Sequence, residues 1–240
     1  MNFKKVKGTF ALDFTGLLEA ALNPTTKRAK KLLQELKPTA FEQWIDHVLL
    51  SRTALAQVTA NSVWHPNGFL KIIVAQGDDG ERVRVHVWPN QRRTIKTGDI
   101  HDHYWSFSSI MLRGQLEIQS FGVVPRGGEF FAIRELPEFQ KDRTFCATYR
   151  FTHRGLACLT QISKHRLKNG DIYSMAPYEI HRVKKIGQSI TATLVLQGPP
   201  TRNQTRIFLP TASAVNRQAG LAQRTALTSE LKTLLISLRS

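Results

Sequence analysis

Acidic residues are scarce in this sequence. Its 240 residues include 18 Asp and Glu against 34 Lys and Arg, which gives a formal net charge of +16. A strongly positive protein attracts polyanions, so a nucleic-acid partner has to be considered. However, the basic residues are spread along the whole chain, and no helix-turn-helix, zinc-finger or aromatic RNA-binding motif accompanies them. We therefore favour a solvated basic surface or the attraction of small anionic substrates over a nucleic-acid function.

Cysteine is almost absent, with Cys146 and Cys158 as the whole complement. These two residues do not form a C-x-x-C site. Long hydrophobic runs are also missing, which argues against a membrane-spanning helix and a membrane partner. The N-terminal segment MNFKKVKGTFALDF lacks the apolar core and cleavage site of a secretory signal. We therefore expect a cytoplasmic protein in which both thiols are reduced.

The first sixty residues show helical periodicity. Apolar residues recur at helical spacing around 17–22 and 32–36, and a third stripe runs from 41 to 49 after Pro38. Thr39 and Glu42, three residues apart, are typical of a capping box at the start of the third helix. After residue 210, leucines at helical spacing predict one more helix at the C-terminus.

Between these helical ends the sequence changes to short β-rich runs separated by turn residues. FLKIIVAQ is followed by GDDG, a hairpin turn signal, and then by RVRVHVW. In the second run the three valines face one way, whereas Arg84, His86 and Trp88 face the other. Further strands are predicted at 104–112, 115–123, 145–152, 158–162, 171–175, 180–184 and 191–197.

Roughly nine short strands at this spacing predict a β-sandwich or β-barrel. No internal repeat is present, and the length suits one domain. We therefore predict a mainly β protein with an N-terminal helical segment over 1–66, a β-barrel over 67–209 and a C-terminal helix over 210–240.

The strongest signal for chemistry is the segment GDIHDHYWSF. Because side chains alternate along a strand, His101 and His103 project to one side and Asp102 projects to the other. Two imidazoles at this spacing can bind one metal ion, although an H-x-H pattern alone is a weak signal. A second segment, NGDIYSMAPYEIHRV, leads from a Gly-Asp turn past Pro177 to His181, which could supply a third imidazole.

Together the two segments resemble the paired motifs of the cupin superfamily, and within it those of the cysteine dioxygenase-like branch of thiol dioxygenases. The resemblance extends from about residue 69 to 200, and FLKIIVAQGDDGERVRVHVW, IMLRGQL and TLVLQGPP follow in the order of that branch. It implies a cupin-type β-barrel, that is, a double-stranded β-helix or jelly roll. It also implies that His101, His103 and His181 hold one iron(II), with zinc, nickel and manganese as alternatives.

The sequence departs from the family at several positions. Many cupins have a glutamate ligand four or five residues after the second histidine, where this chain has Phe107 and Ser108. The family's cross-linking cysteine near Ser108 is missing, and its Ser-His-Tyr set is replaced by Thr193, Val195 and Gln197. Gln197 is retained as a candidate substrate contact. Three neutral imidazoles would leave the charge of the ion to an anionic substrate, such as a carboxylate, with room for dioxygen.

Five further residues are candidates for the substrate pocket. Lys71 occupies the position at which thiol dioxygenases hold the substrate carboxylate with an arginine, and a lysine keeps the charge but loses the two-point contact. An exposed strand position is the alternative for Lys71. Arg84 and His86 share a strand face, and Trp105 and Phe107 have the parity of the two close histidines, which predicts an aromatic wall.

The remaining polar residues near the motifs have weaker interpretations. Asp99 and Asp102 could accept hydrogen bonds from the ligand imidazoles, with a surface position as the alternative. Four histidines without a motif are interpreted as ordinary polar residues: His47, His65, His153 and His165.

The leading hypothesis is an iron(II)-dependent, dioxygenase-like oxygenase that acts on a small carboxylate-bearing substrate together with dioxygen. One alternative is a non-oxidative isomerase or lyase that uses zinc, nickel or manganese as a Lewis acid. Another is a non-enzymatic metabolite-binding or regulatory protein whose basic surface meets nucleic acid. A homodimer is left open.

Overall fold

The computed structural model describes residues 13–90, 98–136, 152–201, 204–211 and 224–239. Five helices and thirteen strands lie in these ranges. The helices are α1 (Phe14–Leu22), α2 (Lys27–Gln34), α3 (Pro38–Leu50), α4 (Arg52–Ala60) and α5 (Thr228–Arg239). The strands are β1 (Ser62–His65), β2 (Phe69–Gln76), β3 (Arg82–Trp88), β4 (Ile100–His101), β5 (Phe107–Arg113), β6 (Gln115–Val123), β7 (Glu129–Leu136), β8 (Thr152–Leu167), β9 (Ile172–Met175), β10 (Ile180–Ile186), β11 (Thr191–Gln197), β12 (Thr205–Pro210) and β13 (Arg224–Thr225).

The strands form two antiparallel groups. Seven of them make a sheet in the order β13-β1-β2-β3-β11-β5-β9, and six close into a ring in the order β10-β4-β12-β7-β8-β6. The ring closes because β10 pairs with β6 along its whole length. The described chain is mainly β, with a closed barrel of antiparallel strands and helices at its N- and C-terminal ends, so the predicted mainly β barrel with terminal helices is confirmed.

The helices cover one face of the seven-stranded sheet. Strand β3 shows how the sequence achieves this, because Val83, Val85 and Val87 are fully buried in the core shared with the helices. Arg84 and His86 alternate with them and face the interior of the barrel, where they line a cavity. The predicted division of this strand into two faces is confirmed. No helix in the described ranges has the length and apolar character needed to cross a membrane.

The N-terminal helices end where the helical periodicity of the sequence ends. Helix α4 ends at Ala60, at the close of the sixty residues that show this periodicity. Strand β1 begins at Ser62, inside the segment 1–66 assigned to the N-terminal helices. The capping box predicted for the third helix is wrong, because Lys37 is the N-cap and makes no side-chain cap bond. Pro38 takes the first helical position instead, where its fixed φ suits the helix and its missing N–H leaves no donor unpaired.

Several strand boundaries also differ. Strand β8 is 16 residues long, although the sequence predicts only 158–162 in this part of the described chain. It pairs with β6 on one side and β7 on the other, and this double pairing supports a length that periodicity alone does not predict. The strand predicted at 145–152 lies outside the described residues except for its last position. Strand β4 contains only two residues, so His103 follows it rather than continuing it.

Candidate metal centre

Three histidines meet at one end of the barrel interior. His101 on β4 and His181 on β10 are direct partners in the antiparallel register. Their ring centroids are 4.5 Å apart, and the His103 ring lies 4.7 Å from His101 and 5.2 Å from His181. One ring nitrogen of each histidine lies within 4.8 Å of the other two, so the three could hold a metal ion.

Backbone carbonyl groups orient two of these rings. Nδ1 of His101 lies 2.7 Å from the carbonyl oxygen of Asp99, and Nδ1 of His181 lies 2.9 Å from that of Glu179. Because a carbonyl oxygen only accepts, each Nδ1 must be the protonated donor. The lone pair of each neutral ring is then on Nε2, which leaves that atom available as a metal ligand.

His103 is held differently. Its ring stacks on Trp105 at a centroid distance of 4.7 Å, and its Nδ1 is buried without a hydrogen-bond partner in the described part of the chain. Its carbonyl oxygen accepts a 2.8 Å hydrogen bond from the N–H of Tyr178. Tyr178 has φ 74°, a left-handed conformation that non-glycine residues rarely adopt. This strained turn connects the segment of His103 to the one that carries His181.

Burial keeps the three imidazoles neutral. It lowers the pKa of His181 to about 3, with a further contribution from His101. Burial also holds the pKa of His103 well below its usual range, and it lowers the pKa of His101 against the opposing effect of the Asp99 hydrogen bond. A histidine must be neutral to bind a metal ion, so this environment favours the ligand form.

The donor set fits a divalent ion that accepts nitrogen ligands. The group consists of imidazoles alone within the described ranges, as the sequence predicts from Phe107 and Ser108. Ser108 is turned away, because its hydroxyl donates to the carbonyl oxygen of Pro24 and pairs with Ser174. Imidazole ligation suits iron, zinc, nickel and copper. His103 belongs to this group of three imidazoles, and its buried Nδ1 has no hydrogen-bond partner in the described chain.

The three histidines line a cavity of about 170 Å³ between the two groups of strands. Apart from the histidines, the charged side chains on its wall in the described ranges are Lys71, Arg82, Arg84 and Asp99. The aromatic side chains on the wall are Phe69, Trp88, Tyr104, Trp105, Phe107 and Tyr173. The cavity therefore combines a nitrogen-ligand cluster, a cationic wall and apolar rings.

Lys71 and Arg84 are buried cations on neighbouring strands. Lys71 is 9% exposed and Arg84 is 6% exposed, so the surface position considered for Lys71 is wrong. Burial, followed by the charges of Arg84 and Arg82, lowers the pKa of Lys71 to about 7. Burial and Arg82 lower the pKa of Arg84 to about 9, whereas Tyr104 and Tyr173 act in the opposite direction.

Five of the six predicted pocket residues lie on the cavity wall: Lys71, Arg84, His86, Trp105 and Phe107. Gln197 is not among the lining residues, although it is buried and its Oε1 has no partner in the described chain. It lies at the end of β11, opposite Phe107 on one side and Arg82 on the other. Every residue of β11 is buried, so the alternation of its side chains does not show from the sequence which face of the strand lines the cavity.

His65 and Tyr173 are among the lining residues that the sequence does not predict. His65 was interpreted as an ordinary histidine, but it lies on the cavity wall, where its ring stacks on Phe69 at 4.5 Å. The N–H of Asn67 donates to its Nδ1, so the proton of the neutral ring is on Nε2. Tyr173 on β9 also lines the cavity, and burial raises the pKa of its hydroxyl group. The cavity therefore contains a tyrosine hydroxyl group, although Gln197 stands where the thiol dioxygenase motif has its tyrosine.

Of the two aspartates of the GDIHDH segment, Asp99 accepts a hydrogen bond from a ligand imidazole, as predicted, whereas Asp102 does not. Asp99 contacts His101 through its carbonyl oxygen, not through its carboxylate. Asp102 is fully buried and binds Arg206, which donates from its backbone N–H and from its guanidinium group. The carboxylate of Asp102 thus fixes the backbone between two candidate ligands without contacting an imidazole.

No family model and no curated protein matches this chain. Some solved structures align with it at low identity. CENP-C of Drosophila melanogaster, bound to CAL1, is 10% identical over 67% of this chain and 94% of that chain, with a TM-score of 0.34. KdgF from Halomonas sp. is 14% identical over 56% and 82%, with a TM-score of 0.32. A cupin superfamily protein from Desulfitobacterium hafniense is 11% identical over 59% and 77%, with a TM-score of 0.29. TM-scores this low decide nothing about the activity or the partners of this chain.

Proposed function

We propose that this chain is a mononuclear metal-dependent oxygenase that binds iron(II) through His101, His103 and His181 and acts on a small carboxylate-bearing substrate. The observation that carries the proposal is the position of three neutral imidazoles in the same buried cavity as two cations, Lys71 and Arg84. An iron(II) ion held there would supply the redox chemistry with dioxygen.

The side chains of the cavity wall bind and orient the substrate. Lys71 and Arg84 attract an anionic group to a part of the cavity wall where both side chains are buried and charge interactions are stronger than at the surface. Trp105 and Phe107 give the apolar part of the substrate a rigid wall. The substrate is thereby oriented with its anionic group toward the cations and its reacting part among the aromatic rings.

Two side chains can hold protons in the cavity. Tyr173 keeps its hydroxyl proton at neutral pH, as tyrosines ordinarily do, and burial raises its pKa further. His65 is neutral because burial and the charge of Lys71 hold its pKa well below the usual range, and its proton is on Nε2. Both residues are hydrogen-bond donors that could orient a bound oxygen atom of the substrate.

Metal content tests the site. We expect about one iron per chain in protein purified without oxygen, measured by mass spectrometry, and loss of the metal in His103→Ala and His181→Ala. His165→Ala is the matched control, because this histidine is exposed on β8. Circular dichroism establishes that each variant is folded. Failure of iron, zinc, nickel and manganese all to bind native protein would overturn the proposal.

Oxygen uptake tests the reaction class. Protein loaded with iron(II) should consume oxygen in the presence of small carboxylic acids, and the same protein loaded with zinc(II) should not. Turnover of a substrate without oxygen uptake would instead support the non-oxidative, Lewis-acid alternative.

A further inference from the structure

Arg84 is a buried cation without an opposite charge in the described part of the chain. It is 6% exposed, and its Nε has no hydrogen-bond partner. Its guanidinium group lies over the ring of Trp105, 5.7 Å from the centroid, and no described carboxylate pairs with it. An isolated buried charge is costly, so native proteins normally pair it. The position of Arg84 therefore indicates an anion that the described chain does not itself provide.

Lys71 adds a second cation to the same wall. Its strand, β2, pairs with β3, so that Lys71 is opposite His86 and Ile73 is opposite Arg84. The charges of Arg84 and Arg82 contribute to the lowered pKa of Lys71, after burial itself. Lys71 and Arg84 therefore repel each other on the same wall.

The charge on the cavity wall is strongly unequal. Three basic side chains, Lys71, Arg82 and Arg84, line the cavity with one carboxylate, Asp99, within the described ranges, and the pKa of Lys71, about 7, leaves it partly protonated at neutral pH. A divalent ion at the three histidines would add two more positive charges and no negative one, because the ligands are neutral. A dianion would balance more of this positive charge than a monoanion.

The two positive regions belong to different walls. Lys71 and Arg84 are on β2 and β3 of the seven-stranded sheet, whereas His101 and His181 are on β4 and β10 of the closed ring. Sheets that face each other are about 10 Å apart. Trp105 lies between the two regions, because its ring contacts both the Arg84 guanidinium and the His103 imidazole. A single carboxylate is too small to serve both walls.

We infer that Arg84 binds a second anionic group of the substrate, so that the substrate class is a small dianion, such as a dicarboxylate, held between Arg84 and the three histidines. This inference rests on the proposed function, because it takes a metal ion at the three histidines as the position of one anionic group, in addition to the group that Lys71 and Arg84 attract. The cavity of about 170 Å³ has the volume of roughly six water molecules, which favours an acid of few carbons. The apolar middle of that acid would contact Trp105 and Phe107.

Calorimetric titration of zinc-loaded protein with succinate and with butanoate tests the inference, since these acids have the same chain length. We expect succinate to bind about tenfold more tightly or better, because a charge-assisted two-point contact is gained. Arg84→Gln should abolish this preference and change butanoate affinity by no more than about threefold. Arg166→Gln is the matched control, because it also removes one positive charge but from an exposed position on β8. It should keep the preference.

Equal affinity for the two acids in native protein would overturn the inference, as would an unchanged preference in Arg84→Gln. If Arg84→Gln does not fold, Arg84→Lys replaces it, and loss of most of the preference is expected because lysine lacks the planar fork. Titration of metal-free protein separates this inference from the proposed function. If none of iron, zinc, nickel and manganese binds native protein, the proposed function fails, whereas weaker succinate binding in Arg84→Gln than in Arg166→Gln would still support an anion site at Arg84.

Discussion

Asp102 binds Arg206 through both of its carboxylate oxygens. One oxygen accepts from the backbone N–H of Arg206 at 2.7 Å, and the other accepts from its Nε at 2.7 Å and its Nη2 at 2.6 Å. Asp102 is completely buried between His101 and His103, so this contact determines the backbone path that brings the two imidazoles together. The contact joins the metal-ligand segment to β12.

Removal of this carboxylate should weaken both the fold and the metal site. We expect Asp102→Ala to lower the free energy of unfolding by about 2–4 kcal/mol, because Arg206 loses its partner in a largely buried position. Zinc affinity should fall about 10- to 100-fold, as is usual when the support of a ligand is lost. Urea unfolding and competition with a chelator measure the two effects.

The exposed pair of Arg154 and Glu135 provides the control for that substitution. The Arg154 side chain is 51% exposed, so Arg154→Ala should change the unfolding free energy by less than about 1 kcal/mol and leave zinc affinity unchanged. An Asp102→Ala variant as stable as Arg154→Ala would contradict the assigned role of Asp102.

Lys71 should make stability depend on alkaline pH. Its pKa is about 7 in the folded protein and 10.5 as the ordinary value, so between these pH values the unfolded chain holds a proton that the folded protein does not. Stability therefore rises with pH in this window, by up to about 1.4 kcal/mol per pH unit, and the full penalty of the buried charge is present below pH 7. Lys71→Met should be free of this contribution.

Urea unfolding of native protein and Lys71→Met at pH 7, 8 and 9, without added anions, measures this dependence. The variant should be the more stable at pH 7, and its advantage should shrink by about 2 kcal/mol on going to pH 9. Parallel pH profiles for the two proteins would mean that Lys71 is not desolvated as described.

The faces of β3 follow from the sequence alone because the strand alternates strictly. Valine at every second position favours a strand with one apolar face, and the structure buries that face against the helices. The placement of Arg84 and His86 in the interior then needs no long-range information. The H-x-H pattern similarly placed His101 and His103 side by side, even though the strand that contains them ends at His101.

Residues brought in by pairing between distant segments were not predictable in this way. Tyr173 reaches the cavity because β9 pairs with β5, which places it opposite Ser109.

His65, in contrast, has a local signal in the sequence. It precedes Asn67 and Gly68, a typical hairpin turn, and it lies opposite Phe69 in the pairing of β1 with β2. This hairpin places His65 on the same face of the sheet as Lys71.

Trp105 should report metal binding, because its ring stacks on the His103 ring at a centroid distance of 4.7 Å. An open-shell ion such as nickel(II) absorbs excitation energy from an aromatic ring at this range, whereas closed-shell zinc(II) does not. We expect nickel(II) to quench tryptophan fluorescence and Trp105→Phe to lose the larger part of the change. Trp44→Phe, in the helical core, is the control and should retain it. Equal quenching in both variants would contradict binding at His103.

Gly114 joins β5 of the seven-stranded sheet to β6 of the closed ring, and two features of its position exclude a side chain. Its φ is +77°, and an added Cβ would lie 2.3 Å from the Thr191 hydroxyl oxygen and 2.9 Å from the Ile190 carbonyl oxygen. Gly187 has a similar φ of +74° but open space around it. A substitution at Gly187 therefore tests the backbone conformation without the steric overlap. Gly187→Ala should cost about 1–2 kcal/mol from the backbone conformation alone.

Gly114→Ala should cost about 3–5 kcal/mol, because the steric overlap adds to the same backbone term. In thermal unfolding each kcal/mol lowers the Tm by about 2–4 °C for a domain of this size. Because β6 pairs with the strand of His181, the larger loss should also weaken zinc binding. Equal Tm values for the two variants would mean that the Thr191 and Ile190 contacts relax freely, and that the junction between the two sheets does not restrict the metal centre.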